Sequence, residues 1–187
     1  MNALQEALAE RLDKESATKV GKTLVALCAH TLECLPETCT CAHVEGSVYS
    51  FSSDHATWVA VLLVHAGVDG VSDAEECADR TPPPVRTVVV NCGARTVRLR
   101  AMVDVTVFEA AELMFNPTEH VDASKMAKLT EQQVTSVMGS IQAGPKCMPM
   151  IGRQDIMVRY YGFHKGDIIR CDRRTPSGIN TYYRVVL

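Results

Sequence analysis

Thr57-Trp58-Val59-Ala60-Val61-Leu62-Leu63-Val64-His65 is a run of aliphatic, mostly branched residues without polar alternation. That pattern fits a strand covered on both faces rather than one that meets water on one side. The run is too short for a membrane helix, which needs ~18 apolar residues, and no stretch of the chain reaches that length.

Working outward, Ser47 to Ser52 reads as a short strand upstream. Downstream the chain turns between Gly67 and Gly70. Ser72 and Glu75 then have the spacing of a capping box, which predicts a short helix from Asp73 to Asp79. Pro82, Pro83 and Pro84 end that helix and stiffen the connection. Val85 to Asn91 is a second β-branched run, ended by Gly93. Near the N-terminus, Leu4, Leu8 and Leu12 fall on one helical face. Ser16 is the expected cap of a second helix, with Val20, Leu24, Leu27 and Cys28 as its apolar stripe. Between Leu35 and Gly46 the pattern breaks, at Pro36, Thr38 and Thr40, and reads as a loop. The order helix, helix, strand, strand, helix, strand predicts a small α/β layer.

The C-terminal part is patterned differently. Residues 121–128 are polar and irregular and read as a linker. Thr130 with Gln133 forms another capping box, opening a helix to about Ile141 that Gly144 and Pro145 stop. Arg153 to Tyr160 predicts a short helix with Gly162 as its left-handed cap. Asp167 to Cys171 and Tyr182 to Val186 are strand candidates, joined through a turn, Arg173 to Gly178, that holds Pro176. The expected fold class is α+β: an N-terminal α/β domain over residues 1–120, a linker over 121–128, and a small mixed α/β domain over 129–187.

The chain has 187 residues, 47% of them apolar and 22% charged, as expected of a globular protein. Residues 1–120 carry 9 Lys and Arg against 17 Asp and Glu, whereas residues 121–187 carry 10 against 5. The split points to two units with different surroundings. A basic half suits an acidic protein surface, nucleic acid or plain solvent, and charge alone favours solvent. The first residues, Met1-Asn2-Ala3-Leu4-Gln5-Glu6, hold an early acid and no basic region, so neither a secretory leader nor a membrane association is expected. The eight cysteines are accordingly read as reduced intracellular thiols.

Three constellations bear on chemistry. Cys28, His30, Cys34, Cys39, Cys41 and His43 are the residue types zinc prefers. Their spacing does not repeat a paired knuckle, so no metal and no cofactor is expected, and buried thiols are the plain reading. A zinc- or thiol-dependent protein using the Cys28–His43 cluster stays open as an alternative. No nucleophile elbow, Walker loop or dinucleotide fingerprint is present, so no active site is expected. The third constellation is basic and aromatic: Arg159-Tyr160-Tyr161-Gly162, Lys165-Gly166-Asp167-Ile168-Ile169-Arg170, Arg173-Arg174 and Tyr182-Tyr183-Arg184. Such residues stack on bases or anchor a protein interface, and composition does not choose between them. A stand-alone nucleic-acid-binding module is therefore a further alternative.

One ordered series narrows the choice. Met148-Pro149-Met150-Ile151, Asp155, Arg159-Tyr160-Tyr161-Gly162, Lys165-Gly166-Asp167-Ile168-Ile169, Gly178 and Tyr183-Arg184-Val185-Val186 resemble the fifth subunit shared by eukaryotic nuclear RNA polymerases. The archaeal counterpart of that subunit resembles only this C-terminal part. Phe108, Glu112-Leu113, Asn116, Thr118-Glu119-His120 and Leu129-Thr130-Glu131 resemble the same family's joint between jaw and assembly domain. Together they span about residues 105–187. Pro117, Ile156 and Ile179-Asn180 depart from the usual pattern, so the resemblance is to a specialised paralogue or to a subunit of a deeply branching or viral polymerase.

The resemblance implies a non-catalytic polymerase subunit. Its C-terminal domain would dock on the largest subunit, beside other polymerase subunits, and its jaw would approach downstream duplex DNA weakly and without reading sequence. The implied compartment is the nucleus, the nucleolus included, or the cytoplasm for a virus. Tyr160, Tyr161, Lys165, Arg173, Tyr182, Tyr183 and Arg184 are the expected partner contacts, because aromatics and arginines dominate interface energy. Arg95, Arg98 and Arg100, which follow the Val85 strand, are the candidate phosphate contacts.

Overall fold

A computed structural model describes residues 2–53, 57–65, 70–93, 97–102, 105–141 and 147–187. Gly67, Arg95, Gly144 and Pro145, singled out above, lie outside them. The fold is α+β, and the chain divides into two units, Met1–Asn116 and Pro117–Leu187.

In the first unit, α1 (Asn2–Ala9) and α2 (Lys14–Thr31) precede a five-stranded sheet. Its strands are β1 (Thr40–Glu45), β2 (Val48–Ser52), β3 (Trp58–Val64), β4 (Arg86–Asn91) and β5 (Val105–Glu109), lying side by side in chain order. β1, β2 and β3 pair antiparallel. β3, β4 and β5 pair parallel. Parallel neighbours need a crossover, and α3 (Val71–Ala78) and α4 (Val97–Ala101) provide it.

The Val59–Val64 stretch is fully buried, as its unbroken apolar run demands. Its alternate residues Ala60, Leu62 and Val64 join Val48, Val89 and Val107 in a core with Ala74 and Cys77 of α3 and Leu99 of α4. Val59, Val61 and Leu63 point the other way by the pleat. On that opposite face Arg86 of β4 donates to Thr31 Oγ1 of α2 at 3.3 Å, which places α2 against it. The sheet is thus the middle layer between two helical layers.

Several starts differ from the sequence reading. Asp13, not Ser16, caps α2, its carboxylate accepting from the N–H groups of Glu15 and Ser16 at 3.1 and 3.0 Å. Asp caps as well as Ser, so the helix begins a turn earlier. The Ser72–Glu75 capping box does not form. α3 starts at Val71 behind Gly70, which has φ 67° and makes no side-chain cap bond. A Cβ at Gly70 would lie 2.8 Å from Val64 Cγ2, so the sharp entry needs glycine there. β1, read as loop, is an exposed edge strand without a buried face to advertise it.

In the second unit, β6 (Lys125–Lys128), β7 (Met150–Ile151), β8 (Ile168–Thr175) and β9 (Gly178–Val186) form one sheet in the order β6-β8-β9-β7. β6 occupies the stretch read as linker: it pairs antiparallel with β8, Met126 opposite Cys171. The hairpin β8–β9 is longer than expected, because pairing continues to Thr175 and Gly178 and leaves only Pro176 and Ser177 as the turn. α5 (Glu131–Ile141) opens with the expected box, Thr130 N–H to Gln133 at 2.9 Å and Gln133 N–H to Thr130 Oγ1 at 3.4 Å.

α6 (Ile156–Tyr161) is shorter than Arg153–Tyr160 would suggest. Asp155 caps it, accepting from the Met157 N–H at 2.9 Å, and Gly162 ends it at φ 71°. Asp155→Ala removes that acceptor. We expect a loss of about 1 kcal/mol in the C-terminal unit, read from the shift of its denaturant midpoint at unchanged slope.

Pleating gives this sheet two apolar faces. Ile151, Ile169, Cys171 and Val186 pack with Val158 of α6. Ile168, Tyr183 and Val185 lie on the other face with Leu129, Met148 and Val134, Val137 and Met138 of α5.

Candidate partner and nucleic-acid surfaces

The tyrosines of the C-terminal unit do not form one patch. Tyr160 is 3% exposed and belongs to the unit's own interior, which leaves it little surface for a partner. Tyr161, next on α6, is half-buried and stacks on Phe163 with centroids 5.3 Å apart and planes at 8°. Burial pushes its phenol up from the ordinary value.

Tyr182 and Tyr183 are neighbours on β9 and therefore face opposite ways. Tyr182 lies on the α6 face, where its hydroxyl is 3.0 Å from Ser124 Oγ and the Arg184 guanidinium sits 5.3 Å over its ring. Tyr183 lies on the α5 face, against Ile168 and Leu129. Strand register could have told these two apart, since residues of a strand alternate; the contiguous Tyr-Tyr-Arg motif conceals it.

Charges around the hairpin are largely engaged. Arg173 is exposed and pairs with Asp122 at 3.5 Å. Asp172 accepts from Thr181 Oγ1 at 2.6 Å and from Arg170 Nε at 2.9 Å, and these contacts hold its carboxyl below the usual range. Lys128 pairs with Asp167 at 2.7 Å. Lys165 is exposed in the turn before β8.

Sequence reading missed an apolar component. Ile179 is 71% exposed and Met150 56%, and register puts both on the α5 face with Tyr183 and Val185. The signal was available, since Ile179, Tyr183 and Val185 share the parity of β9.

In the first unit, Arg98 and Arg100 are exposed on α4. Arg100 already pairs with Glu109, whose other oxygen accepts from Asn91 Nδ2 at 2.5 Å. Exposed pairs of this kind are worth about 0–1 kcal/mol, so a phosphate can compete with the carboxylate. Arg95 lies outside the described residues.

The thiol cluster is real but does not resemble a metal site. Cys28 and Cys39 are buried and Cys34 and Cys41 half-buried, all near the α2–β1 connection. His43 packs on Tyr49 at 5.1 Å and its Nε2 lies 3.0 Å from Gly46 O. Among the described residues no group of three or more His, Cys, Asp or Glu is arranged to hold a metal ion. An open cleft of about 350 Å³ is lined by Trp58, Arg80 and Pro82. Trp58 Nε1 donates to Pro82 O at 2.9 Å, and Arg80 pairs with Glu76 and Glu45 at 3.3 and 3.7 Å, which engages its main polar groups. No helix among the described residues is long and apolar enough to cross a membrane.

Known proteins resemble the second unit. Residues 115–186 match the family model described as RNA polymerase Rpb5, C-terminal domain. The DNA-directed RNA polymerase subunit Rpo5 of Pyrococcus horikoshii is 34% identical over 74 residues, which are 39% of this chain and 90% of that protein. The chain belongs to the Rpb5 family of RNA polymerase subunits. Two Arabidopsis thaliana Rpb5-type relatives are covered less fully. The DNA-directed RNA polymerase subunit 5-like protein 1 is 30% identical over 84 residues, 45% of this chain and 40% of the relative. The DNA-directed RNA polymerase V subunit 5A is 29% identical over 70 residues, 37% and 32% of the respective lengths. The chain thus covers well under half of either plant relative. The matched Rpb5 domain coincides with the unit Pro117–Leu187, and residues 1–114 fall outside the family match.

Proposed function

We propose that this chain is a non-catalytic structural subunit of a multisubunit DNA-dependent RNA polymerase. On this reading the C-terminal unit is the assembly domain and docks on the largest subunit, while the N-terminal unit is jaw-like and lies near downstream duplex. The nucleus is the compartment the reading implies. The observation that carries it is the near-complete coverage of the archaeal relative by the C-terminal unit, together with the match over residues 115–186.

The geometry supports the α5 face as one docking surface. Tyr183, Val185, Met150 and Ile179 lie along one side of the sheet, and α5 covers it with no residue of its own fully buried. An apolar side left this open gains free energy when a partner removes it from water, at roughly 25 cal/mol per Å². Affinity purification of the tagged chain from its native source tests the reading. Large polymerase subunits should co-elute in stoichiometric amounts. A lone monomer in the extract would end the proposal.

The jaw reading rests on fewer observations. Arg98 and Arg100 are both exposed on α4, in a unit that is otherwise acidic. Phosphate contacts from them would steady duplex without reading its sequence. We expect Arg98→Ala with Arg100→Ala to flatten the salt dependence of DNA binding by the assembled enzyme, by about one to two in the log–log slope. An identical slope at every salt concentration counts against contact through α4.

A further inference from the structure

The sheet of the second unit is closed unevenly along β9. β9 pairs with β8 from Gly178 to Val185 in one unbroken register. On its other side β7 meets it only at Val185 and Val186. Backbone groups of successive residues in an antiparallel pair point alternately toward the partner strand and away from it. Val185 points away from β8, since its N–H donates to Pro149 O at 3.0 Å. Ile179, Thr181 and Tyr183 share its parity, so their N–H and C=O groups are also turned outward. These three residues make no backbone hydrogen bond among the described residues. Pro149 has no N–H to give and ends the β7 ladder there. Two other sheet edges are guarded. β6 is four residues long and carries Lys125 and Lys128, and β1 breaks register between His43 and Glu45. The stretch Ile179 to Tyr183 has no lysine, no proline and no break in register, and Ile179 is 71% exposed.

We propose that an extended segment of another polymerase chain adds to this sheet as a strand along Ile179 to Tyr183, end to end with β7. The proposal rests on the polymerase reading above and specifies how docking is made. Open backbone groups set the shape of the occupant. A strand satisfies them through its own ladder, whereas a helix has its backbone groups bonded internally. Side chains set its composition. Ile179 and Tyr183 stand on the α5 face with Met150, so every second residue of the added strand is apolar. Asn180, Tyr182 and Arg184 stand on the α6 face, and Arg184 Nε is buried without a hydrogen-bond partner, which favours an acidic residue on that side. Charge points the same way. Residues 121–187 carry 10 Lys and Arg against 5 Asp and Glu, a balance that attracts an acidic segment and repels a second copy of this unit.

Thr181→Pro tests this in the full-length chain. The ring replaces the outward N–H and stands in the path of an added strand, while the bonds that Asn180 and Tyr182 make to β8 are kept. The variant also loses the Thr181 hydroxyl's bond to Asp172, so Thr181→Ala is the control. Tagged Thr181→Pro should recover about tenfold less large polymerase subunit than Thr181→Ala, because a carbonyl of the added strand is left buried and unpaired. Equal recovery by the two variants overturns strand addition and leaves the polymerase reading standing. No large subunit with the wild-type chain overturns both. Amide hydrogen exchange at single-residue resolution on the wild-type chain does not depend on how the variant folds. In the free chain the amides of Ile179, Thr181 and Tyr183 should exchange fast and those of Asn180, Tyr182 and Arg184 slowly; in the assembled enzyme all of them should be slow. Ile179, Thr181 and Tyr183 still fast in the assembled enzyme, or already slow in the free chain because a second copy pairs there, would overturn the proposal.

Discussion

Ile169→Ala is expected to melt the C-terminal unit first and to leave the N-terminal unit's transition near its wild-type position. Ile169 is fully buried on β8 and packs against Val158, Ile151, Cys171 and Val186 in a small cluster. Truncating such a side chain costs about 2–5 kcal/mol, through lost transfer energy and the cavity left behind. A unit of this size has little stability to lose. The aromatic residues allow each unit to be followed separately. The single tryptophan, Trp58, lies in the first unit, and four of the five tyrosines lie in the second. Near-ultraviolet circular dichroism of tyrosine should therefore lose its signal at lower denaturant, while tryptophan fluorescence changes little. Coincident loss of both signals would show that the units unfold as one.

Replacing Tyr161 and Tyr183 together by alanine should have the larger effect on assembly. Both rings are half-buried in the free chain, so each keeps surface to offer a partner. They sit on opposite faces of the C-terminal unit, Tyr161 stacked on Phe163 and Tyr183 against the α5 cluster. Sites on two faces are expected to contribute nearly independently. Interface tyrosines often cost about 2 kcal/mol or more each on truncation, which together predicts a roughly thousandfold loss of affinity. The measurement is the amount of largest polymerase subunit recovered with the tagged variant, with circular dichroism as the folding control. A folded double variant that recovers as much large subunit as wild type would refute docking through these rings. Tyr160→Phe, by comparison, should disturb docking little, since that ring faces inward.

Much of the core was legible in the residue pattern. The run at Val59–Val64 announced a strand covered on both sides, because only a two-sided burial tolerates six apolar residues in succession. The Thr130–Gln133 box, the Gly162 cap and the Asp167 and Tyr182 strands were also visible, since each depends on neighbours within a few residues. β1, β6 and β7 were not. Their sequences are short or polar, and they exist because a partner strand offers hydrogen bonds to their backbone, a condition no local pattern encodes.

The candidate sites divide in the same way. Sequence order alone carried the family resemblance, because it is a property of which residues follow which. It also supplied the tyrosines and arginines as residue types. Only the folded chain separated Tyr160 from Tyr161 and showed which face each of Tyr182 and Tyr183 takes, because helical rotation and strand pleat turn adjacent residues to different surroundings. What the sequence determined is local propensity and lineage; what the tertiary structure decided is burial and juxtaposition, which arise from contacts between residues far apart in the chain.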